Sequence, residues 1–170
     1  MAGDIGWLNS LPPDRAEQEL LTCCASRQWA QKVAASRPYP DAGSATAAAV
    51  AGVCELSWPD VEEALSAHPR IGDRAKAELS EREAAWSRGE QSGAAGADLA
   101  VRTELAAGNL AYEERFGHVF LIRATGRSAE EMLTELRKRL ANSELDERIK
   151  VQSELADITR LRVRKLLGDK

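Results

Sequence analysis

Three groups of residues in this 170-residue chain are equipped for chemistry. The first is His68, followed by Pro69 in the stretch His68-Pro69-Arg70-Ile71-Gly72-Asp73. The second is Ser87-Arg88-Gly89-Glu90-Gln91, which gathers a hydroxyl, a carboxylate and a carboxamide around a helix-breaking glycine. The third is Arg162. An imidazole donates a proton near neutral pH, and a carboxylate with a carboxamide grips a small polar molecule through several hydrogen bonds. A guanidinium holds a carboxylate in a two-pronged fork. Such residues together suit proton delivery to a small organic anion.

Each side chain also has a plainer use. His68 falls in helical line with Val61, Ala64 and Leu65, and a histidine on an apolar face serves equally well as a core residue. Pro69 favours the chemical role, because it should end a helix at His68, where exposed carbonyls stabilise the imidazolium. Glu90 and Gln91 lie in a polar, glycine-flanked stretch that reads as a loop, where solvated side chains are the more natural reading of these two residues alone. Arg162 lies inside a stripe formed by Val151, Leu155, Ile158 and Leu166, with Arg160 and Arg164 on the opposite face. A guanidinium aimed at a core needs an anionic partner, since an unpaired buried charge is costly. An internal salt bridge or a ligand carboxylate would each serve. The other histidine, His118, has no comparable setting and is read as structural.

The elements that must position these residues are helical. Alanine, leucine, glutamate and arginine dominate, and no segment alternates apolar and polar residues for long. The expected fold is all-α, a compact single-domain bundle of about eight helices over residues 1–170. Helices are expected over 13–24, 27–35 and 44–56, with another opening at Ser57-Trp58-Pro59. A charged helical stretch follows over 73–86, loosened by Gly89, Gly93 and Gly96, and then a long helix over 97–115. The apolar run 116–122 reads as either an extended piece or a helix ending. Ser128-Ala129-Glu130-Glu131 is a capping box that opens a helix to about residue 141, and a last helix over 143–167 is closed by Gly168.

Charge and cysteine content narrow the function further. A net charge of −4 with interspersed signs gives no general attraction to nucleic acid or to an anionic membrane. No apolar run approaches the roughly 18 residues needed to span a bilayer. Cys23, Cys24 and Cys54 make an odd set, which argues against a disulfide framework and for a reducing compartment. With neither a secretory signal nor a peroxisomal tail in the chain, the expected location is the cytoplasm.

Beyond these local readings, the ordered motifs resemble a known family. His68-Pro69-Arg70-Ile71-Gly72, Ser87-x-x-Glu90-Gln91 and Asn109-x-x-Tyr112-x-x-Arg115-Phe116-Gly117 are followed by Phe120-Leu121-Ile122, Arg139-Leu140-x-Asn142 and Ile158-x-x-Leu161-Arg162. This series, from about residue 8 to 167, is similar to the 2-oxo-4-hydroxy-4-carboxy-5-ureidoimidazoline (OHCU) decarboxylases. The resemblance implies an all-helical, cofactor-free enzyme of urate degradation, usually a homodimer, that yields (S)-allantoin. It makes His68 the catalytic acid, Glu90 a catalytic carboxylate and Arg162 the charged anchor. Pro69, Ser87 and Gln91 become substrate contacts, with the backbone of Phe120, Leu121, Ile122, Arg123 and Ala124 lining the pocket. Arg123 departs from the small or apolar residue usual in that stretch.

The implied chemistry suits this set of residues. The electron pair left by departing carbon dioxide enters the substrate's own conjugated C=N and ureido system, so neither a metal nor pyridoxal is called for. The chain accordingly shows no glycine-rich phosphate loop and no metal-ligand spacing. Two other classes fit the same residues: a helical binding module without catalysis, and a related lyase or hydrolase acting on another ureide. Turnover of the ureidoimidazoline separates them.

Overall fold

The computed structural model describes residues 3–71, 81–95 and 99–169, and every regular element among them is a helix. In chain order these are α1 (Ile5–Ser10), α2 (Pro13–Leu21), α3 (Arg27–Ala35), α4 (Ala42–Cys54), α5 (Trp58–Leu65), α6 (Glu81–Glu90), α7 (Ser92–Ala95), α8 (Leu99–Phe116), α9 (Ala129–Leu140) and α10 (Glu144–Leu166). Eight of them have eight residues or more, and the short α1 and α7 complete the set among the described residues. Gly72, Asp73, the 73–80 part of the expected charged helix, Gly96 and Ala97 lie outside the described residues.

Short polar side chains set the helix starts, because they accept from amides that have no partner within the first turn. Asp4 accepts from Trp7 N at 2.8 Å, Ser26 from Trp29 N at 3.2 Å and Asp41 from Ser44 N at 2.6 Å. Ser128 accepts from Glu131 N at 3.1 Å, which fixes the start of α9 where the capping box put it. Gly168, with φ +80°, follows α10 in the left-handed conformation that ends helices at low cost. Several expected boundaries move by a residue or two, α4 from 44–56 to Ala42–Cys54 among them, and two shifts have a local cause. Helix α2 stops at Leu21 because the Thr22 hydroxyl turns back onto the Glu19 carbonyl at 2.6 Å. Helix α6 continues through Gly89 to Glu90, so that glycine does not break it.

The chain divides into two compact units, one of Met1–Ala64 with Leu155–Lys170 and the other of Leu65–Glu154. The first is built on small residues. In α4, Gly52 lets the helix approach Trp29, since a Cβ there would lie 3.0 Å from the indole, and Trp29 Nε1 donates to the Ala49 carbonyl at 2.8 Å. Ala45, Ala49 and Val53 bury the same side of α4, against the buried Val33 and Ala34 of α3. Asn9 and Tyr39 exchange a pair of hydrogen bonds through their side-chain and main-chain groups, each 2.9 Å long.

In the second unit α8 packs on α9, where Gly108 admits Leu136: a Cβ at residue 108 would come within 2.5 Å of a Leu136 methyl. The core of this unit gathers Leu105 and Tyr112 from α8, Met132, Leu133 and Leu136 from α9, and Phe120, Ile122 and Ala124 from the segment between them. Ile71 joins the same cluster. No helix among the described residues is long and apolar enough to cross a membrane.

Candidate active site

His68 lies just beyond α5, and its amide donates to the Leu65 carbonyl at 3.0 Å, so the ring hangs on the helix's closing turn. The imidazole is 8 % exposed and Pro69 is buried beside it. Two contacts to α8 hold the segment that follows. The Arg70 guanidinium forks onto Glu113, with Nε 2.9 Å from Oε1 and Nη2 2.8 Å from Oε2. Asn109 Nδ2 donates to the Ile71 carbonyl at 3.2 Å. Backbone on both sides of His68 is thus tied to helical elements.

Ser87, Glu90 and Gln91 are carried by α6 and the turn after it, not by the loop that the sequence suggests. The spacing i, i+3, i+4 sets them on one helical face. Ser87 is 3 % exposed, while Glu90 and Gln91 are half-buried. Gln91 N donates to Ser87 O at 3.1 Å, extending the helical bonding to the carboxamide. Two residues on, Gly93 packs against the Arg127 carbonyl, and a Cβ there would lie 2.4 Å from that oxygen. Gly93 therefore permits close approach between the chain after Gln91 and the turn after Ala124.

Residues 119–124 form neither helix, turn nor strand: α8 ends at Phe116, Gly117 turns the chain at φ +80°, and the rest of the apolar run lies outside regular structure. Phe120, Leu121, Ile122 and Ala124 are all buried, Arg123 less so. A buried segment outside regular structure must find partners for its peptide groups elsewhere. Arg139 Nη1 donates to the Leu121 carbonyl at 2.6 Å. Glu154 Oε2 accepts from Arg123 N at 3.0 Å, and Arg127 Nε donates to Arg123 O at 3.0 Å. The N–H and C=O of Ile122, between these held positions, make no hydrogen bond to another described residue. The N–H and C=O of Phe120 and the N–H groups of Leu121 and Ala124 are equally without a hydrogen-bond partner among the described residues, and these peptide groups together are what a polar ligand would satisfy.

Beneath the segment lies an ionic network. Arg139 and Glu147 are 1 % and 0 % exposed, with Nε 2.7 Å and Nη2 2.6 Å from Oε1. Tyr112 donates to the same oxygen at 2.5 Å, and Asn142 Nδ2 to Oε2 at 3.0 Å. Burial, reinforced by the hydrogen bond to Glu147, raises the Tyr112 pKa and keeps the phenol protonated. Sequence reasoning assigned no role to Glu147 or Glu154. Both continue the stripe of Val151, Leu155 and Ile158 at helical spacing, so the argument that singled out Arg162 would have found them.

Arg162 belongs to the first unit and is 5 % exposed, whereas Arg160 and Arg164 are exposed and paired with Asp157 and Asp169. Its charge acts on the thiol of Cys24, whose pKa is pushed up to about 11 by burial, with Arg162 pulling it down and Glu63 raising it. A groove of about 500 Å³ in this unit is lined by Ala42, Thr46 and Val50 of α4 and by Arg160 and Arg164, but by none of the site residues. His118 Nδ1 donates to the Val119 carbonyl, 3.0 Å away, and the ring lies edge-on against Tyr112, in keeping with a structural role. Among the described residues no group of three or more histidine, cysteine or acidic side chains is arranged to hold a metal.

His68, Pro69, Ser87, Glu90, Gln91 and residues 120–124 therefore share one compact unit, and Arg162 lies in the other. Similarity to known proteins now bears on this arrangement. The OHCU decarboxylase family model matches residues 9–164. The uric acid degradation bifunctional protein TTL of Arabidopsis thaliana is 34 % identical over 155 residues, 91 % of this chain and 48 % of its own length. This chain thus spans about half of that curated relative. A crystal structure of an OHCU decarboxylase in the presence of (S)-allantoin is 33 % identical, with TM-score 0.75, covering 89 % of this chain and 98 % of that one. A crystal structure of an (S)-allantoin synthase, 17 % identical, shares the fold with TM-score 0.71 over 98 % of this chain and 54 % of its own. The chain belongs to the OHCU decarboxylase family.

Proposed function

We propose that this protein is a carboxy-lyase that converts 2-oxo-4-hydroxy-4-carboxy-5-ureidoimidazoline to (S)-allantoin in urate degradation. The observation that carries this reading is the family match over residues 9–164, a span that holds every site residue named above. The 33 % identical relative crystallised in the presence of (S)-allantoin supports the identity of the product.

In the proposed reaction the C–C bond to the carboxylate breaks, carbon dioxide leaves, and the electron pair passes into the conjugated C=N of the substrate. Collapse of that electron-rich system takes a proton on carbon, and His68 delivers it to one face. Glu90 and Gln91 orient the ureide through an acceptor and a carboxamide, with Ser87 and Pro69 beside them. Ile122 offers a backbone donor and acceptor, a match for the N–H and C=O of a ureido group. Arg162 meets the anionic group of the substrate. No cofactor takes part, so turnover should survive dialysis against a strong chelator and need no added pyridoxal or thiamine phosphate.

We extend the proposal to the protein's organisation. The family match runs through both compact units, which favours one functional domain over residues 1–170. Exposed Leu145 and Ile149, one turn apart on α10, offer an apolar surface for a homodimer, which light scattering would test. No disulfide joins Cys23, Cys24 and Cys54, which favours a reducing compartment, the cytoplasm.

The deciding experiment generates the unstable substrate in place with urate oxidase and hydroxyisourate hydrolase and follows optical rotation. Rapid appearance of one-handed allantoin is expected. Racemic product at the uncatalysed rate would overturn the reading and favour a non-catalytic binding module.

A further inference from the structure

The buried Arg139–Glu147 pair is more than packing. One guanidinium makes three kinds of contact: the ion pair with Glu147, the 2.6 Å bond to the Leu121 carbonyl, and a cation–π contact with the Phe120 ring 4.6 Å away. Glu147 is saturated in turn by Tyr112 on Oε1 and Asn142 on Oε2. The pair therefore joins α9 to α10, is backed by α8 and the α9–α10 connection, and reaches residues 120 and 121. Replacing a buried ion pair by apolar side chains of similar volume is often neutral for stability. What such a replacement cannot reproduce is a directional donor aimed at a particular carbonyl.

We infer that Arg139 is a positioning residue for the proposed decarboxylation, fixing the backbone of 120–124 through the Leu121 carbonyl with Glu147 as its base. The inference rests on the reading above and adds residues that touch no substrate. Leu121 O is held by Arg139, and Arg123 is held at its N–H by Glu154 and at its C=O by Arg127. Ile122 sits between these fixed points, so the direction of its N–H and C=O is set before substrate arrives. Preorganised donors and acceptors of this kind act on orientation in the transition state more than on affinity. Loss of the clamp should therefore lower kcat and the enantiomeric bias together, with smaller change in KM.

The test is the double variant Arg139→Met with Glu147→Leu, which removes both charges at once and leaves neither stranded. A folded protein with kcat lowered about 10- to 100-fold, reduced enantiomeric excess and nearly unchanged KM is expected. A folded double variant with wild-type kcat and enantiomeric excess would overturn the inference. If the double variant does not fold, Arg139→Lys decides: it keeps the charge opposite Glu147 but lacks the rigid second arm that Arg139 extends to Leu121. It should show the same loss of kcat and handedness at near-wild-type melting temperature, and wild-type values for both would refute the role. Absence of stereoselective turnover in the unmutated protein would remove the decarboxylase reading and this inference together.

Discussion

Tyr112 and Arg139 converge on one oxygen: the phenol lies 2.5 Å and the guanidinium Nη2 2.6 Å from Oε1 of Glu147, all of them buried. Removing the phenol leaves that carboxylate short of a donor in a place water does not reach. Tyr112→Phe should cost about 1–3 kcal/mol of stability, measured by urea unfolding. Because burial raises the Tyr112 pKa, the phenol donates throughout the range below its usual value near 10. The cost should therefore be equal at pH 6 and pH 9, and a cost absent at both would remove the network's claim to matter.

His68 and Glu90 are separable by stereochemistry. His68→Asn should fold, bind ligand and lose about 10²- to 10⁴-fold in rate together with the enantiomeric bias. Glu90→Gln keeps the acid and removes a charged acceptor, so rate and binding fall while the residual product stays one-handed. Chiral chromatography of the allantoin formed distinguishes them. Strongly one-handed product at near-normal rate from His68→Asn would make His68 a core histidine.

Arg162 is buried where Arg160 and Arg164 are exposed, so the three arginines of this helix end should differ sharply on substitution. Arg162→Gln should lower kcat/KM by about 10- to 100-fold or more, and Arg162→Lys should recover little because an ammonium makes no fork. Arg160→Gln and Arg164→Gln, which disturb surface ion pairs, should change it by less than about twofold. Equal losses in all three would point to general charge and not to a specific contact.

Cys24 supplies a pH test of the first unit. Its thiol is held neutral by burial up to about pH 11, against a usual value near 9. The folded state thus keeps a proton that the unfolded chain releases between those values, so the contribution is complete below pH 9 and is lost as pH rises toward 11. Stability should fall by up to about 2–3 kcal/mol across this window, and Cys24→Ala should remove that part of the slope. Parallel pH profiles for the two proteins would show that the Cys24 thiol ionises as freely in the fold as outside it.

Much of the fold is written locally. Ser128 with Glu131, and Gly168 after the last helix, mark ends by bonds that span only a few residues, so the sequence alone locates α9 and α10. The inward aim of Arg162 follows from its place in an apolar stripe, because helical spacing fixes which side chains share a face. Tertiary structure decided what depends on partners distant in the chain. Gly89 weakens a helix by only about 1 kcal/mol relative to alanine, so α6 continues through it and brings Glu90 onto a helical face with Ser87. The apolar run before Arg123 carries no period of its own. Its irregular path is bonded to Arg139, 18 residues from Leu121, and to Glu154, 31 residues from Arg123. Local propensity cannot register these bonds, because a buried carbonyl's need for a donor is met by whichever side chain the fold places across from it.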